Sequence, residues 1–344
     1  MKKEKWYFPK YYPSFACKAD ACRNTCCSSW RIPVSKEEFH RLVTMECSKN
    51  LNRRIQNAFI VPEVVTDEVY RYISFNWLGQ CPIQEKGLCY LHREKGEEFL
   101  PKICRLYPRS LKRIGNYNVA CCSSSCERVV EILYDYDDLE IVTEQMEETP
   151  QVFYSISYDG FRQIRSFQKI LQDRSTTLLQ SIIDICKIIN DDEFDRDYDS
   201  DEDPLSAAIL LLKRFSESNQ ILGKICDIVS ERYGNDPSLY EKDRDAFEEA
   251  FPDWMTFFER VINNSMFYEC FPFVDERADQ TQVYKGLCIC YGLLRLLCIA
   301  NTYKDHRKDD LVDAVSSLFH LIDHTTFYYN VSLISGNAAI FLKL

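Results

Sequence analysis

Cysteines are the residues in this sequence that could most readily do chemistry. The chain has 344 residues and 17 cysteines, and 11 of these lie within its first 128 residues. Soft thiolates favour zinc or iron-sulfur clusters, and spaced thiolates that folding brings together can supply four ligands. The N-terminal pattern therefore predicts a metal site. The cysteines of this part fall into three groups: Cys17, Cys22, Cys26 and Cys27; Cys81, Cys89 and Cys104; and Cys121, Cys122 and Cys126.

The spacing favours an iron-sulfur cluster over zinc. Zinc sites commonly show two C-x-x-C pairs, and the sequence has no clean pair of this kind. Cys81 precedes Pro82, a pairing that is common beside iron-sulfur ligands. Cys26 and Cys27 are not expected to bind one ion together, because adjacent side chains diverge. The C-x3-C-x2-C motif of radical S-adenosylmethionine enzymes is missing, since Ser29 stands at its third cysteine position.

The C-terminal cysteines fit a different role. They lie among apolar residues at helical spacing, and buried free cysteines are common in protein cores. We therefore predict a structural role for Cys186, Cys226, Cys270, Cys288, Cys290 and Cys298. Cys47 is assigned to neither set, and His92 is interpreted as a surface histidine.

Net charge and hydropathy indicate which partners and which cellular setting to expect. The net charge is −11, with +9 on residues 1–128 and −20 on residues 129–344. The acidic part would repel a phosphate backbone, so nucleic acid is not an expected partner. No apolar leader precedes the first cysteine, which predicts a reducing, cytoplasmic setting. The apolar run 286–300 contains Arg295 and is too short for a membrane span, so we predict a buried helix and no membrane association.

The secondary structure predicted to position the cysteines is that of a mainly α protein. Residues 1–128 are predicted to form a cysteine-rich module with short irregular or β segments, packed on a helical C-terminal region. A capping box at Ser35 and Glu38 predicts a helix start, and the alternation over 64–75 favours a strand. Beyond the module we predict a helical connector over 129–189, an acidic linker or loop over 190–204 and a helical domain over 205–344.

Gly-rich phosphate-binding motifs are missing from the sequence, which has only 10 glycines. A nucleotide fold built on such a loop is therefore not expected, and neither is the usual doubly wound methyltransferase domain.

Four segments carry a resemblance to the flagellin lysine-N-methylase family: FACKADACRNTCCSSW, CPIQEKGLC, GEEFLPKICRLYPR and SCERVVEIL. The resemblance implies methyl transfer from S-adenosylmethionine to lysine amines of flagellin, assisted by a [4Fe-4S] cluster, in the bacterial cytoplasm. It implies that the cluster ligands come from Cys17, Cys22, Cys26, Cys27, Cys81, Cys89, Cys104 and Cys126. The chain reads SCERV where the family is expected to read SCPE, which leaves the closing ligand open. No general base is predicted.

Two other functions are compatible with the cysteines. A non-catalytic scaffold would use zinc or iron only to hold the fold together. A thiol oxidoreductase would depend on Cys26 and Cys27 alone, without the C-x-x-C of a thioredoxin-like site.

Overall fold

The computed structural model describes residues 3–27, 31–76, 79–147, 154–156, 160–216, 220–274, 279, 282–334 and 336–344. The chain divides into two compact units. We call Ala16–Pro108 the cysteine-rich unit, and Met1–Phe15 together with Arg109–Leu344 the helical unit. The division differs from the predicted module 1–128 because the first strand pairs with strands that follow residue 108.

The described residues form short strands and mostly longer helices. The strands are β1 (Lys3–Pro9), β2 (Ile32–Val34), β3 (Phe59–Ile60), β4 (Arg71–Ile73), β5 (Gln84–Glu85), β6 (Leu88–Cys89), β7 (Arg109–Ile114), β8 (Tyr117–Cys122), β9 (Ile141–Glu147) and β10 (Tyr154–Ile156). The helices are α1 (Lys36–Thr44), α2 (Lys49–Gln56), α3 (Tyr90–Lys95), α4 (Lys102–Leu106), α5 (Glu127–Asp135), α6 (Phe161–Leu171), α7 (Leu178–Tyr198), α8 (Pro204–Phe215), α9 (Gln220–Ile228), α10 (Ser238–Ala250), α11 (Trp254–Glu269), α12 (Val283–Thr302), α13 (Lys308–Asp323) and α14 (Phe327–Ile334). Helices account for 59% of the residues that the structure describes, which confirms the mainly α prediction.

The helical unit contains a five-stranded sheet that the sequence analysis did not predict. Its strand order is β10-β7-β8-β1-β9. Strand β1 lies parallel to β8, with Trp6 opposite Asn118, and antiparallel to β9. Trp6 and Phe8 alternate along β1 and are both buried. The side-chain period of two in a strand therefore places these aromatic rings in the core of the helical unit.

Helix α12 lies at the centre of that core. Its length and apolar composition would suffice to cross a membrane, but 94% of its apolar window is buried inside the protein. This burial confirms the predicted core helix over 286–300. All six C-terminal cysteines are buried as well, as expected of core residues, and their structural role stays a prediction.

The acidic run 190–204 differs from the predicted linker or loop. Helix α7 continues through it to Tyr198, with a break in helical geometry at Asn190. The Asn190 side chain accepts a hydrogen bond from the backbone N–H of Glu193 at 3.3 Å and so caps the second segment. Phe194 is buried, and the Asp197 carboxylate accepts a hydrogen bond from the Tyr284 hydroxyl at 3.1 Å. The cap and these buried contacts hold an acidic sequence in a helix.

The cysteine-rich unit has its own small core and a three-stranded sheet of order β2-β4-β3. Strand β4 lies within the predicted strand segment 64–75 and confirms it in part. The predicted capping box is also confirmed: Ser35 Oγ accepts from the Glu38 N–H at 3.3 Å, and Glu38 Oε2 accepts from the Ser35 N–H at 2.8 Å.

Loss of this cap gives a first testable prediction. Ser35→Ala should lower the free energy of unfolding by about 1 kcal/mol, because the first turn of α1 loses an acceptor for a free N–H. Urea unfolding followed by circular dichroism measures the change. The matched control is Ser35→Thr, which keeps the hydroxyl and should stay close to the wild type; equal losses in both variants would contradict the role of the cap.

Candidate functional site

Four cysteines from separate segments converge in the cysteine-rich unit. The backbone N–H of Cys81 donates to the carbonyl oxygen of Cys27 at 2.9 Å, which joins the first and second cysteine segments. Cys89 ends β6 and precedes α3, and Cys104 lies within α4. Cys81 belongs to the core of this unit, and Cys27, Cys89 and Cys104 pack against that core. Residues up to 77 positions apart in sequence therefore share one environment.

The four thiols influence one another electrostatically. Burial raises the pKa of Cys81 to about 12, and negative charge on Cys27 and Cys89 adds to the effect. Burial also raises the pKa of Cys104 well above its usual value, with further contributions from Cys27, Cys81 and Cys89. Such mutual destabilisation of thiolates is what a bound cation relieves, because a metal deprotonates the thiols that coordinate it.

Cys27 differs from the other three. A hydrogen bond with the Cys26 thiol lowers the pKa of Cys27 to about 7, and a hydrogen bond with Thr25 contributes. The thiols of Cys26 and Cys27 are therefore hydrogen-bonded neighbours, and the expectation that they do not bind one ion together stays a prediction. Residues 26 and 27 form a turn, in which adjacent side chains do not alternate as they do in a strand.

The remaining predicted ligands lie in different places. Cys17 is exposed, and its sulfur accepts the Ala19 N–H at 3.4 Å. Cys22 follows a short 3-10 helix and is partly buried. Cys126 precedes α5 and belongs to the helical unit. Seven of the eight predicted ligands thus belong to the cysteine-rich unit and one to the helical unit.

The donor set fits a thiophilic metal by its chemistry. Cys27, Cys81, Cys89 and Cys104 offer the four sulfur ligands that a structural zinc ion or an iron-sulfur cluster uses. Within the described residues, however, no group of three or more His, Cys, Asp or Glu side chains is arranged to hold a metal ion as it stands. The ligand set remains a prediction, and these four cysteines are its most coherent part.

A second cluster, in the helical unit, was not predicted from the sequence. We call Lys112, Glu269 and Asp323 the acidic cluster. Lys112 lies in β7, while the two acids end α11 and α13. The Lys112 ammonium donates to the carbonyl oxygen of Tyr268 and lies 4.0 Å from Glu269 Oε2. Burial raises the pKa of Glu269, and the charge on Lys112 partly opposes that rise.

Asp323 is anchored through one carboxylate oxygen. Its Oδ2 accepts a hydrogen bond from the Ser123 hydroxyl, whereas Oδ1 is buried and has no hydrogen-bond partner in the described part of the chain. Burial, followed by the negative charge on Glu269, raises the pKa of Asp323 well above its usual value. The Ser125 hydroxyl bonds to Ser123 and lies 3.0 Å from His324 Nε2. The hydroxyl groups of Ser123 and Ser125 therefore connect Asp323 to His324 through consecutive hydrogen bonds.

Two histidines on α13 and just after it extend this network. The rings of His320 and His324 are 4.9 Å apart between centroids. Burial lowers the pKa of His320 to about 4 and that of His324 to about 3, so both imidazoles are neutral at neutral pH. His320 Nε2 is buried and has no hydrogen-bond partner among the described residues.

Two tyrosines border the acidic cluster. Burial raises the pKa of Tyr268 and of Tyr328 well above the usual value, and the charges of Asp323 and Glu269 add to both shifts. The ring of Tyr328 lies against Gly286 of α12, where any Cβ would overlap it. A glycine at 286 thus makes room for the tyrosine beside the two carboxylates.

Asn264 of α11 is hydrogen-bonded to residues at or just beyond the ends of β1 and β8. Its Oδ1 accepts from the Tyr11 hydroxyl at 2.6 Å, and its Nδ2 donates to the Cys122 carbonyl and to Ser124 Oγ, both at 3.0 Å. Sequence reasoning missed this region. The available signals were the polar residues Asn263, Asn264 and Ser265 within an apolar helix, and Asp323 with His324 at the end of another.

Comparison with known proteins gives two family matches. Residues 124–334 match the model of the FliB lysine N-methylase C-terminal domain. Residues 16–127 match the CxxCxxCC family, which is described as a zinc- or iron-chelating domain. The first match contains Glu269 and Asp323, and the second contains the four converging cysteines together with Lys112.

Two curated relatives are similar to part of the chain. A lysine-N-methylase of Salmonella typhimurium is 27% identical over 137 residues, which is 39% of this chain and 33% of that protein. A lysine-N-methylase of Salmonella choleraesuis is 26% identical over 136 residues, again 39% of this chain and 33% of the relative. The chain thus matches about a third of the length of these relatives. No solved structure matches.

Proposed function

The chain belongs to the FliB lysine N-methylase C-terminal domain family, and from that premise we propose that it is a protein lysine N-methyltransferase acting on flagellin. The proposal includes S-adenosylmethionine as the methyl donor and a cysteine-ligated [4Fe-4S] cluster. The observation that carries it is the family match over 124–334, which spans most of the helical unit. The flagellin substrate follows from the resemblance of the cysteine segments to the flagellin methylases.

The proposed cluster would be held in the cysteine-rich unit. Cys27, Cys81, Cys89 and Cys104 support this because they pack at one core, and because the charges of the first three raise the pKa of Cys104. Cys17, Cys22 and Cys26 of the same unit complete the proposed pool of ligands there, and a ligand role for Cys126 stays a prediction. A cluster bound there would supply one-electron transfer, or would hold the cysteine segments of the unit together.

Methyl transfer requires a neutral lysine amine. S-adenosylmethionine, when bound, supplies an electrophilic methyl carbon, but an ammonium group has no free electron pair with which to attack it. The protein must therefore hold the lysine side chain and accept its proton. Buried acids with raised pKa values are suited to this task.

Co-expression tests this function. Flagellin produced together with the full chain should carry methyl-lysine in mass spectra, and flagellin produced alone should not. The chain should be purified anaerobically and analysed for iron, zinc and acid-labile sulfide. Unmodified flagellin beside an intact, cluster-loaded protein would contradict the proposed substrate.

The alternative is a non-catalytic protein whose zinc or iron only holds the fold together. The observation that favours it is the match over 16–127, whose description includes zinc. Stoichiometric zinc without sulfide, and no consumption of S-adenosylmethionine, would support this alternative over the methyltransferase.

A further inference from the structure

The acidic cluster has one more acid than it has cations. Burial opposes the charged form of Lys112, yet its electrostatic interactions with the titratable groups Cys270, Glu269 and Asp323 raise its pKa overall. The other titratable groups that interact electrostatically with these three residues include Cys121, Cys270, Cys290, Tyr268 and Tyr328. Burial raises the pKa of Cys121 to about 12 and that of Cys270 to about 11, so neither supplies a charge near neutral pH. Among the described groups facing the cluster, Lys112 is thus the single cation opposite two carboxyl groups.

The backbone around these acids also disfavours negative charge. Glu269 and Asp323 are the last residues of α11 and α13. The C-terminal end of a helix carries a partial negative charge, which favours cations and disfavours carboxylates. Two acids at two helix C-termini therefore form a site whose electrostatics select a positive ligand.

One buried acceptor atom at the site has no donor among the described residues. Asp323 Oδ1 is buried without a hydrogen-bond partner, although the Asp323 side chain as a whole remains partly exposed. Nε2 of His320, three residues earlier on α13, is likewise buried without a partner in the described part of the chain. A buried acceptor without a donor is costly, and a ligand with N–H donors would satisfy Asp323 Oδ1.

The side chains of the site are largely buried but remain partly accessible to solvent. The side chains of Lys112 and Glu269 retain 14% and 15% of their exposed area, although they lie among buried residues. Tyr268 and Asp323 are also partly exposed. The rings of Tyr268 and Tyr328 offer apolar surface beside the carboxylates, as the methylene chain of a lysine requires.

From this juxtaposition we propose that the acidic cluster binds the ammonium group of a lysine side chain, with Asp323 and Glu269 as its carboxylate partners. The inference rests on the proposed function and assigns its amine-binding site. Asp323 Oδ1, which has no donor among the described residues, accepts a hydrogen bond from the ammonium. Asp323 then takes one proton, which leaves a neutral amine with a free electron pair and a neutral carboxylic acid.

Binding of a small probe tests this site without catalysis. Nα-acetyl-lysine amide and Nα-acetyl-norleucine amide, which lacks the amine, are titrated into the full chain and followed by saturation-transfer NMR. The lysine probe should bind at least about tenfold more tightly, since hydrogen bonds to charged groups are the stronger kind. Equal binding of the two probes would overturn the proposal, and this comparison needs no variant.

Variants then assign the residues. Asp323→Asn and Glu269→Gln should each weaken binding of the lysine probe about tenfold or more. The matched control is Glu259→Gln, another buried acid of α11, whose carboxylate is paired with Arg174 at 2.9 Å and lies about 15 Å along the helix from Glu269. Unchanged probe binding in both site variants, with melting temperatures near the wild type, would contradict the assignment.

The two proposals can fail separately. Selective binding of the lysine probe without methylation of flagellin would contradict the proposed function but support the amine site. Methylation at the wild-type rate by both Asp323→Asn and Glu269→Gln would support the proposed function but contradict the amine site.

Discussion

Cys104→Ser should reduce the metal content of the purified chain at least about tenfold, because removing one thiolate leaves an incomplete ligand set. Cys104 is the informative position because the charges of Cys27, Cys81 and Cys89 all act on it. It also lies in α4, where a helix fixes its backbone. Serine keeps the size of the side chain but is a poor ligand for soft metals. Iron, zinc and sulfide per chain, measured after anaerobic purification, give the result.

The matched control is Cys298→Ser. Cys298 is fully buried in α12 of the helical unit and is predicted to be structural. Its replacement should cost stability, as any polar substitution in a core does, but should leave the metal content unchanged. Full metal content in Cys104→Ser would remove Cys104 from the ligand set. Equal loss in both variants would show that metal content follows overall stability instead.

Gly292→Ala should lower the free energy of unfolding by about 1–3 kcal/mol, the usual cost of overpacking a core. Gly292 lies inside α12, where alanine would ordinarily stabilise a helix by up to about 1 kcal/mol. Here a Cβ would lie 2.9 Å from the Cβ of Phe341 and 3.0 Å from its carbonyl carbon. Backbone atoms of the C-terminal 3-10 helix Ala338–Lys343 cannot rotate away, so the segment must shift.

Gly234→Ala is the control for this prediction. Gly234 has helical dihedral angles, with φ −70° and ψ −29°, and the nearest atom to an added Cβ is Ile209 Cδ1 at 3.9 Å. Alanine should therefore stabilise the protein by about 0.5–1 kcal/mol at this position. Urea unfolding followed by circular dichroism compares both variants with the wild type. Changes of the same sign would show that helix propensity, and not contact with Phe341, decides the effect at 292.

The amino-acid sequence by itself determined the features that depend on local pattern. The period of apolar residues identified the helices, and the apolar run within α12 identified the buried core helix. The Ser35 capping box was recognisable because its two hydrogen bonds join residues only three positions apart. Cysteine type and spacing likewise indicated a thiophilic site in the N-terminal part, since short spacings constrain which sulfur atoms can meet.

Tertiary structure alone decided what depends on distant pairing. Strand β1 joins β8 across more than 100 residues, and no local signal specifies that partner. Lys112, Glu269 and Asp323 come from one strand and two helix ends, so nothing in their spacing predicts that they meet. Long-range packing offsets the free-energy cost of bringing these charges together. The same kind of packing places Cys27, Cys81, Cys89 and Cys104 at one core, although they are far apart in the sequence.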